Sequence, residues 1–316
     1  MSFSGEVKKE LAKQFHKSRH CQIAELAAIF TFTGQVTTKD ALTLCFTTEN
    51  IQVAKKCYTL LKQAFHMETE MRASDAGGGH RGHTYCIAIA DEAQSRRVLQ
   101  AIGVIDVNGN FCEKEQLVDG LVVLKDCCKR AFLRGAYLCA GSMSNPEKAY
   151  HFEIVCNEYE KATQLSELIH HFHIDSKVVL RKKYAVVYLK EGEQIVDMLN
   201  IMEAYRCLMN FENVRIVKEM RNSVNRQVNC ETANIHKTVN AAVKQTQDIR
   251  LIMEKRGLSS LPLPLQEMAR VRLEHPDAPL KELGTYFDPP IGKSGVNHRL
   301  RKLGELAESL QEEGRV

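Results

Sequence analysis

A chain of 316 residues is longer than one ordinary domain, so two or three folding units are expected. Its 44% hydrophobic and 26% charged residues describe packed globular units and exclude a disordered chain. Forty-three Lys and Arg against 39 Asp and Glu leave a net charge of +4, which permits a nucleic-acid partner without demanding one. No apolar run approaches the roughly 18 residues of a membrane span. The start, Met1-Ser2-Phe3-Ser4-Gly5-Glu6-Val7-Lys8-Lys9, is too charged for a signal peptide. A cytoplasmic protein without a membrane partner is therefore expected. Eleven cysteines lie scattered in apolar contexts (Cys45, Cys57, Cys86, Cys139, Cys156) with no CxxC pair. That spacing argues against a disulfide framework and against a zinc site. Cys127 and Cys128 are adjacent and bridge each other only with strain. No metal ligand and no cofactor is expected.

Taken in order, the first two thirds of the chain repeat. Helices are predicted over about 21–33 and 129–140, each ending at a glycine, Gly34 and Gly141, at an offset of 107. The same offset links Asn50 with Asn157, Phe65 with Phe172, and His66 with His173. A strand follows in each copy (Ala41–Phe46; Tyr150–Cys156), then an amphipathic helix (Ile51–Phe65; Tyr159–Phe172). A hairpin comes next (Met67–Ala73 with Thr84–Ala90; Ile174–Arg181 with Tyr184–Leu189), and a helix closes each copy (Ala93–Ile102; Gln194–Ala204). In the later part the offset reads as 99, linking Tyr85 with Tyr184 and Glu92 with Glu191, because the first hairpin has a long Gly-rich tip from Ser74 to Gly82. One α-β-α-β-β-α unit would expose an apolar sheet face; two copies pair and bury it.

Leu26-Ala27-Ala28-Ile29-Phe30-Thr31-Phe32-Thr33-Gly34 and Leu133-Arg134-Gly135-Ala136-Tyr137-Leu138-Cys139-Ala140-Gly141 resemble the signature helices of LAGLIDADG homing endonucleases. Small residues, Ala27, Ala28, Gly135, Ala136 and Ala140, suit two helices packed at a pseudo-twofold axis. In that family the residue before each final glycine is acidic and holds the divalent metals that activate water. Here those positions are Thr33 and Ala140, and neither supplies the hard carboxylate oxygen that magnesium needs. Asp40 and Glu147 lie beyond the helix ends and are poor substitutes. The scaffold reads as one that has kept its shape and lost its cutting site, so no catalytic residue is assigned.

Charge gathers around the second hairpin at Lys177, Arg181, Lys182, Lys183 and Lys190, with Arg72, His80 and Arg81 beside the first. Three readings stay open for this saddle: phosphate contact, lysines guarding a solvated sheet edge, or a protein partner. His170-His171-Phe172-His173 ends an amphipathic helix and lacks companion ligands for a metal. Gly77-Gly78-Gly79-His80-Arg81 reads as a flexible hairpin tip. Gly292-Lys293-Ser294 imitates the end of a phosphate loop, but Phe287 stands where its first glycine is needed.

After about Ala204 the composition changes. Glu212–Asn229 reads as a polar linking helix, and Thr232–Arg256 as a long helix with Ile235, Val239, Ala242, Val243, Ile249 and Ile252 inward. Gly257 stops it, and Leu265–Leu273 forms another helix. Leu280–Phe287 is a short helix, Asp288–Gly292 a rigid turn, and Ser294 a candidate N-cap for a basic helix that follows. On a helical wheel Val296, Leu300 and Leu303 face inward, while Ser294, His298, Arg301 and Lys302 face outward, flanked by Asn297 and Arg299. From Pro289 to Gly304 there are four Lys and Arg and no acid. Short helix, turn and longer basic helix is the helix-turn-helix order, whose second helix enters the major groove. Lys293, Ser294, Asn297, His298, Arg299, Arg301 and Lys302 are the candidate DNA contacts. A plain three-helix unit with a solvated basic face is the alternative.

Phe211–Asn222, Val228–Asn234 and Lys293–Leu303 also closely resemble the WhiA family of bacterial proteins, and the resemblance spans nearly the whole chain. It implies an α+β, duplicated LAGLIDADG-like saddle followed by an all-α helix-turn-helix domain. The expected boundaries are 1–204 for the saddle (repeats about 20–104 and 127–204), 205–229 for a helical linker and 230–316 for the DNA-binding domain. The implied role is a nucleoid-associated regulator of cell division, chromosome segregation or sporulation, bound to double-stranded DNA and without nuclease activity. A division or segregation scaffold with secondary DNA contact, and an active metal-dependent endonuclease, are the alternatives.

Overall fold

The structure, a computed structural model, describes residues 2–38, 41–75, 83–112 and 116–313. Two compact units divide it, Met1–Glu219 and Met220–Val316. In the first, helix α1 (Phe3–Leu11) precedes two repeats. The first repeat comprises α2 (Arg19–Thr33), β1 (Gly34–Thr37), β2 (Thr43–Thr48), α3 (Ile51–Phe65), β3 (Glu70–Asp75), β4 (His83–Ile89) and α4 (Glu92–Ala101). The second comprises α5 (Asp126–Ala140), β5 (Gly141–Met143), β6 (Phe152–Cys156), α6 (Tyr159–His170), β7 (Lys177–Arg181), β8 (Tyr184–Leu189) and α7 (Gly192–Ile201).

Each repeat carries one strand more than α-β-α-β-β-α: β1 and β5 start at the glycine that ends the preceding helix. Both sheets are antiparallel, ordered β1-β2-β4-β3 and β5-β6-β8-β7. Their registers run Gly34–Phe46–Ile87–Met71 and Gly141–Ile154–Val187–Val178. Ile87 therefore matches Val187, an offset of 100, so the value of 99 read from Tyr85 and Tyr184 slips by one residue. The duplication extends to the backbone. His66 and His173 both end a helical segment with positive φ, 58° and 62°, a region that side chains other than glycine seldom enter. The Gly-rich tip, including Gly77, His80 and Arg81, lies outside the described residues, as does Asp40.

The core of this unit is the contact of α2 with α5. Ala24, Ala27 and Ala28 face Ala131, Gly135 and Ala136, all buried. A Cβ on Gly135 would stand 2.7 Å from the Glu25 carbonyl oxygen and 2.8 Å from the Ala28 Cβ, so only glycine allows this approach. Beside it sits a buried ionic cluster that the apolar pattern did not announce. Glu25 Oε1 takes Lys56 Nζ at 2.7 Å and Arg134 Nε at 3.0 Å, and Arg134 Nη1 reaches Glu203 at 2.7 Å. Lys56 also donates to the Leu11 and Gln14 carbonyls at 2.7 Å each. Burial holds the Lys56 ammonium below its usual pKa, and Glu25 works against that shift. The cluster thus ties α1, α2, α3 and α5 to the segment after α7.

Helix α8 (Tyr205–Lys255) begins in the first unit and ends in the second. Glu10 of α1 caps its start, accepting from the backbone N–H groups of Arg206 and Cys207 at 2.8 and 2.9 Å. The two helices read as Glu212–Asn229 and Thr232–Arg256 are one, because no glycine or proline interrupts residues 205–255. Of the stripe assigned inward, Ala242, Ile249 and Ile252 are buried, whereas Ile235, Val239 and Val243 are at least half exposed.

Replacing Glu25 with glutamine leaves the buried Lys56 without its counter-charge and Arg134 with Glu203 alone. The expected loss is about 3–5 kcal/mol in the first unit, read from urea unfolding. A loss below about 1 kcal/mol would show that the cluster is not what holds the helix pair.

Candidate nucleic-acid interface

The second unit is built around the end of α8. Helix α9 (Leu263–Glu274) follows, then the single-turn α10 (Leu280–Leu283), a 3-10 turn (Gly284–Tyr286) and α11 (Lys293–Glu313). Ile249, Ile252, Met268, Ala269, Leu283 and Phe287 form a core with Val296, Leu300, Leu303, Ala307 and Leu310. The inward stripe of α11 is thus the one its spacing predicts. Gly284 sits where a Cβ would collide with the Ile291 carbonyl oxygen, and its own carbonyl accepts from Ile291 N at 3.0 Å. That close passage folds the turn back and sets the start of α11.

Helix α11 begins earlier than the Ser294 cap implied. The Gly292 carbonyl accepts from Val296 N at 3.1 Å, so Gly292 is the cap and Ser294 lies inside the first turn. The stretch Gly292-Lys293-Ser294 is therefore a helix start. Ser294, Asn297, His298 and Arg301 are exposed along one stripe opposite the core, with Lys293 and Lys302 exposed at its margins. Arg301 Nε lies 3.3 Å from Glu305 across one turn, an exposed pair worth about 0.3–0.5 kcal/mol and readily exchanged for another anion. Arg299 differs. It is half-buried, its guanidinium stands 5.2 Å from the Phe287 ring centroid, and its Nη1 is buried without a hydrogen-bond partner. Arg299 is placed to pack the turn, not to join the outward stripe.

Charge is graded along α11: Lys293, Arg299, Arg301 and Lys302 precede Glu305, Glu308, Glu312 and Glu313. The helix dipole adds positive potential at the same end. Behind it, Arg272 is 2% exposed. It donates to Gln245 Oε1 of α8 at 2.7 and 3.0 Å and to the Ala278 carbonyl at 2.7 Å, with the His275 and Pro276 carbonyls at 3.4 Å. The segment from α9 to α10 is fixed by this fork, and His275 stacks on Tyr286 with ring centroids 3.9 Å apart.

The second charged surface is less free than its lysine count implied. Arg181 Nη1 is bound to Glu153 at 2.9 Å, and the same carboxylate takes His151 and Ser142. Burial opposes ionisation of Glu153, but those donors outweigh it and hold its pKa below the usual value. Lys183 and Lys190 lie over the rings of Tyr184 and Tyr188. Lys177 and Lys182 are exposed. In the first sheet Arg72 is bound to Glu70 at 2.7 Å, and the same face also carries Gln35, Thr37, Thr43, Thr47 and Ser74.

At the helix ends that correspond to the nuclease acids, the Thr33 hydroxyl donates to the Ile29 carbonyl of its own helix at 2.6 Å, and Ala140 has no ligating atom. Glu147 is exposed in a turn whose backbone Asn145 caps. The histidine tract is dispersed: His170 contacts the Ser176 carbonyl at 2.9 Å, while His171 donates to Asp126 at 2.8 Å and holds that carboxyl below its ordinary pKa. The fold does gather one donor set against the expectation from cysteine spacing, His20 with Cys21, Cys127 and Cys128.

A duplicated scaffold closed by paired glycine-ended helices is a LAGLIDADG-like fold, and the α10–α11 unit is a helix-turn-helix. Family models agree in chain order. The WhiA N-terminal LAGLIDADG-like domain matches residues 19–105, the WhiA LAGLIDADG-like domain 129–221, and the WhiA C-terminal HTH domain 224–307. The chain belongs to the WhiA family. It is 51% identical over 314 residues to a probable cell division protein WhiA of Lachnoclostridium phytofermentans, covering 99% of this chain and all of that one. It is 46% identical to the corresponding protein of Heliobacterium modesticaldum, over 100% and 99% of the two chains. The crystal structure of full-length DUF199/WhiA from Thermatoga maritima superposes with a TM-score of 0.59 at 25% identity, over 98% and 99% of the chains.

Replacing Arg272 with leucine removes the fork and leaves the His275, Pro276 and Ala278 carbonyls and the Gln245 side chain without their donor. The helical unit is expected to lose about 2–4 kcal/mol, measured by urea unfolding followed by circular dichroism. An unchanged midpoint would contradict the role assigned to Arg272.

Proposed function

We propose that this protein is a sequence-specific DNA-binding regulator of bacterial cell division that reads double-stranded DNA with α11 and does not cut it. The observation that carries this reading is the exposed stripe of Ser294, Asn297, His298 and Arg301 on the N-terminal half of a helix whose opposite side is locked into the core. In helix-turn-helix proteins that half of the second helix meets base edges. Arg301 suits the two acceptors of guanine, and Lys293 and Lys302 suit phosphates at the margins. Arg299 supports the turn through Phe287. The binding of Arg181 by Glu153, a carboxylate that His151 and Ser142 also hold, argues against the second sheet as the reading surface. Lys177, Lys182, Lys183 and Lys190 remain a secondary surface for DNA backbone or a protein partner. The naming of its relatives as probable cell division proteins supports the division role, and a DNA-binding role fits a nucleoid-associated protein of the cytoplasm.

Two measurements test this reading. Arg301→Ala should cost about 1–3 kcal/mol on a preferred site and relax selection at one base position. Lys302→Ala should weaken all sequences alike and lower the salt slope by about one unit. Binding isotherms on specific and scrambled duplexes at several salt concentrations distinguish the two, and unchanged binding by both variants would remove α11 from the interface. In the second measurement, protein free of contaminating nuclease is incubated with duplex DNA and magnesium or manganese. No cleavage is expected, since Thr33 and Ala140 cannot hold the metals. Metal-dependent product would refute it, and its loss in a Glu147→Ala variant would name the acid responsible.

A further inference from the structure

His20 and Cys21 stand in the first turn of α2, and Cys127 and Cys128 in the first turn of α5. The repeat offset of 107 makes His20 the counterpart of Cys127, and Cys21 the counterpart of Cys128. Pairing α2 with α5 about the pseudo-twofold axis therefore brings all four to one end of the helix pair. One ligand atom from each, a ring nitrogen and three sulfurs, lies within 4.8 Å of every other. His20 Nδ1 is 3.2 Å from Cys128 Sγ, 3.3 Å from Cys21 Sγ and 4.0 Å from Cys127 Sγ. Ligand atoms of a tetrahedral zinc ion are separated by about 3.6 Å from sulfur to nitrogen and about 3.8 Å between sulfurs, given its bond lengths. The observed spacing brackets those values before any ion draws the donors together. Among the described residues no other group of His, Cys, Asp and Glu meets this condition.

The surroundings suit a cation. All four residues lie at helix N-termini, where the backbone dipole favours a thiolate. Cys21, Cys128, Ala24 and Ala131 form a small buried cluster behind the donors, and exposed His20 closes the solvent side. Three crowded sulfurs are a poor home for one negative charge and a good one for a divalent, thiophilic ion. All eleven cysteines are free thiols, so the set is available.

We propose that His20, Cys21, Cys127 and Cys128 hold one zinc ion in a closed four-ligand site that clips together the first turns of α2 and α5. The site lies about 18 Å along the helices from Thr33 and Ala140, by the rise of twelve residues, so it is not a remnant of a nuclease centre. Its role is structural: it joins two repeats that are distant in sequence at the open end of their shared helix pair.

Full-length protein, stripped with chelator under reducing conditions, is titrated with Co2+. The expected result is the visible spectrum of tetrahedral cobalt with a sulfur-to-metal charge-transfer band, saturating at one ion per chain and bleached by zinc. His20→Asn and Cys127→Ser, both at the exposed side, should each weaken binding by about 100-fold or more. Cys230→Ser, at an exposed position on α8, should leave it unchanged. Absence of the charge-transfer band in the unmodified protein would overturn the proposal. So would equal binding by the Cys127→Ser variant, or a disulfide within the set that persists under reduction.

Discussion

The close approach of α2 to α5 is the constraint on which the first unit depends. Gly135 lets the backbones come within a methyl group of contact, and the alanines around it keep that distance along the seam. Such an approach leaves little room for large side chains at the axis, so the core gains its volume from the sheets packed outside it. Each sheet has one apolar face, and the helix pair together with α3, α4, α6 and α7 covers both. The Glu25 carboxylate adds direction to this contact. It binds one cation from each repeat, Lys56 and Arg134, so the two halves share a charge neither can satisfy alone. A buried cluster of this kind contributes more to fixing one arrangement than to net stability.

The same helix pair separates shape from chemistry. Its seam needs small residues and its ends need only to stop at glycine, and both demands are met without acids at the positions of Thr33 and Ala140. The scaffold is thus free to persist without a metal centre at those positions. The second unit has a different logic, in which Arg272 and Gly284 fix the turn and Val296, Leu300 and Leu303 seat α11. The outward stripe is presented by a rigid element, as base recognition requires.

Much of this was legible in the sequence because it rests on periodicity and turn chemistry. The repeat offset, the helix and hairpin order, and the inward stripe of α11 all follow from local pattern. β1 and β5 were not legible, because four and three residues are too few for an alternation to register. The unbroken run of α8 was hidden by a polar stretch near 229–234, although the absence of glycine and proline pointed to it. Arg299 and Phe287 are twelve residues apart, and their contact follows only from the turn between them. Glu25 and Arg134 are charges within apolar helices, but 109 residues separate them and local spacing does not pair them. His20, Cys21, Cys127 and Cys128 escaped a search for CxxC spacing, yet the repeat offset equates them once it is applied to ligating residues.

The central claim is that α11, and not the open sheet faces, touches DNA bases. It is tested most directly by photocrosslinking with the full-length protein bound to a specific duplex. A photoreactive residue replaces His298 in one variant, and Thr47 or Val179, on the open faces of the two sheets, in others. The account predicts a strong crosslink to bases from position 298, abolished by a scrambled duplex, and none to bases from 47 or 179. Base crosslinks from the sheet positions, with position 298 silent, would contradict it.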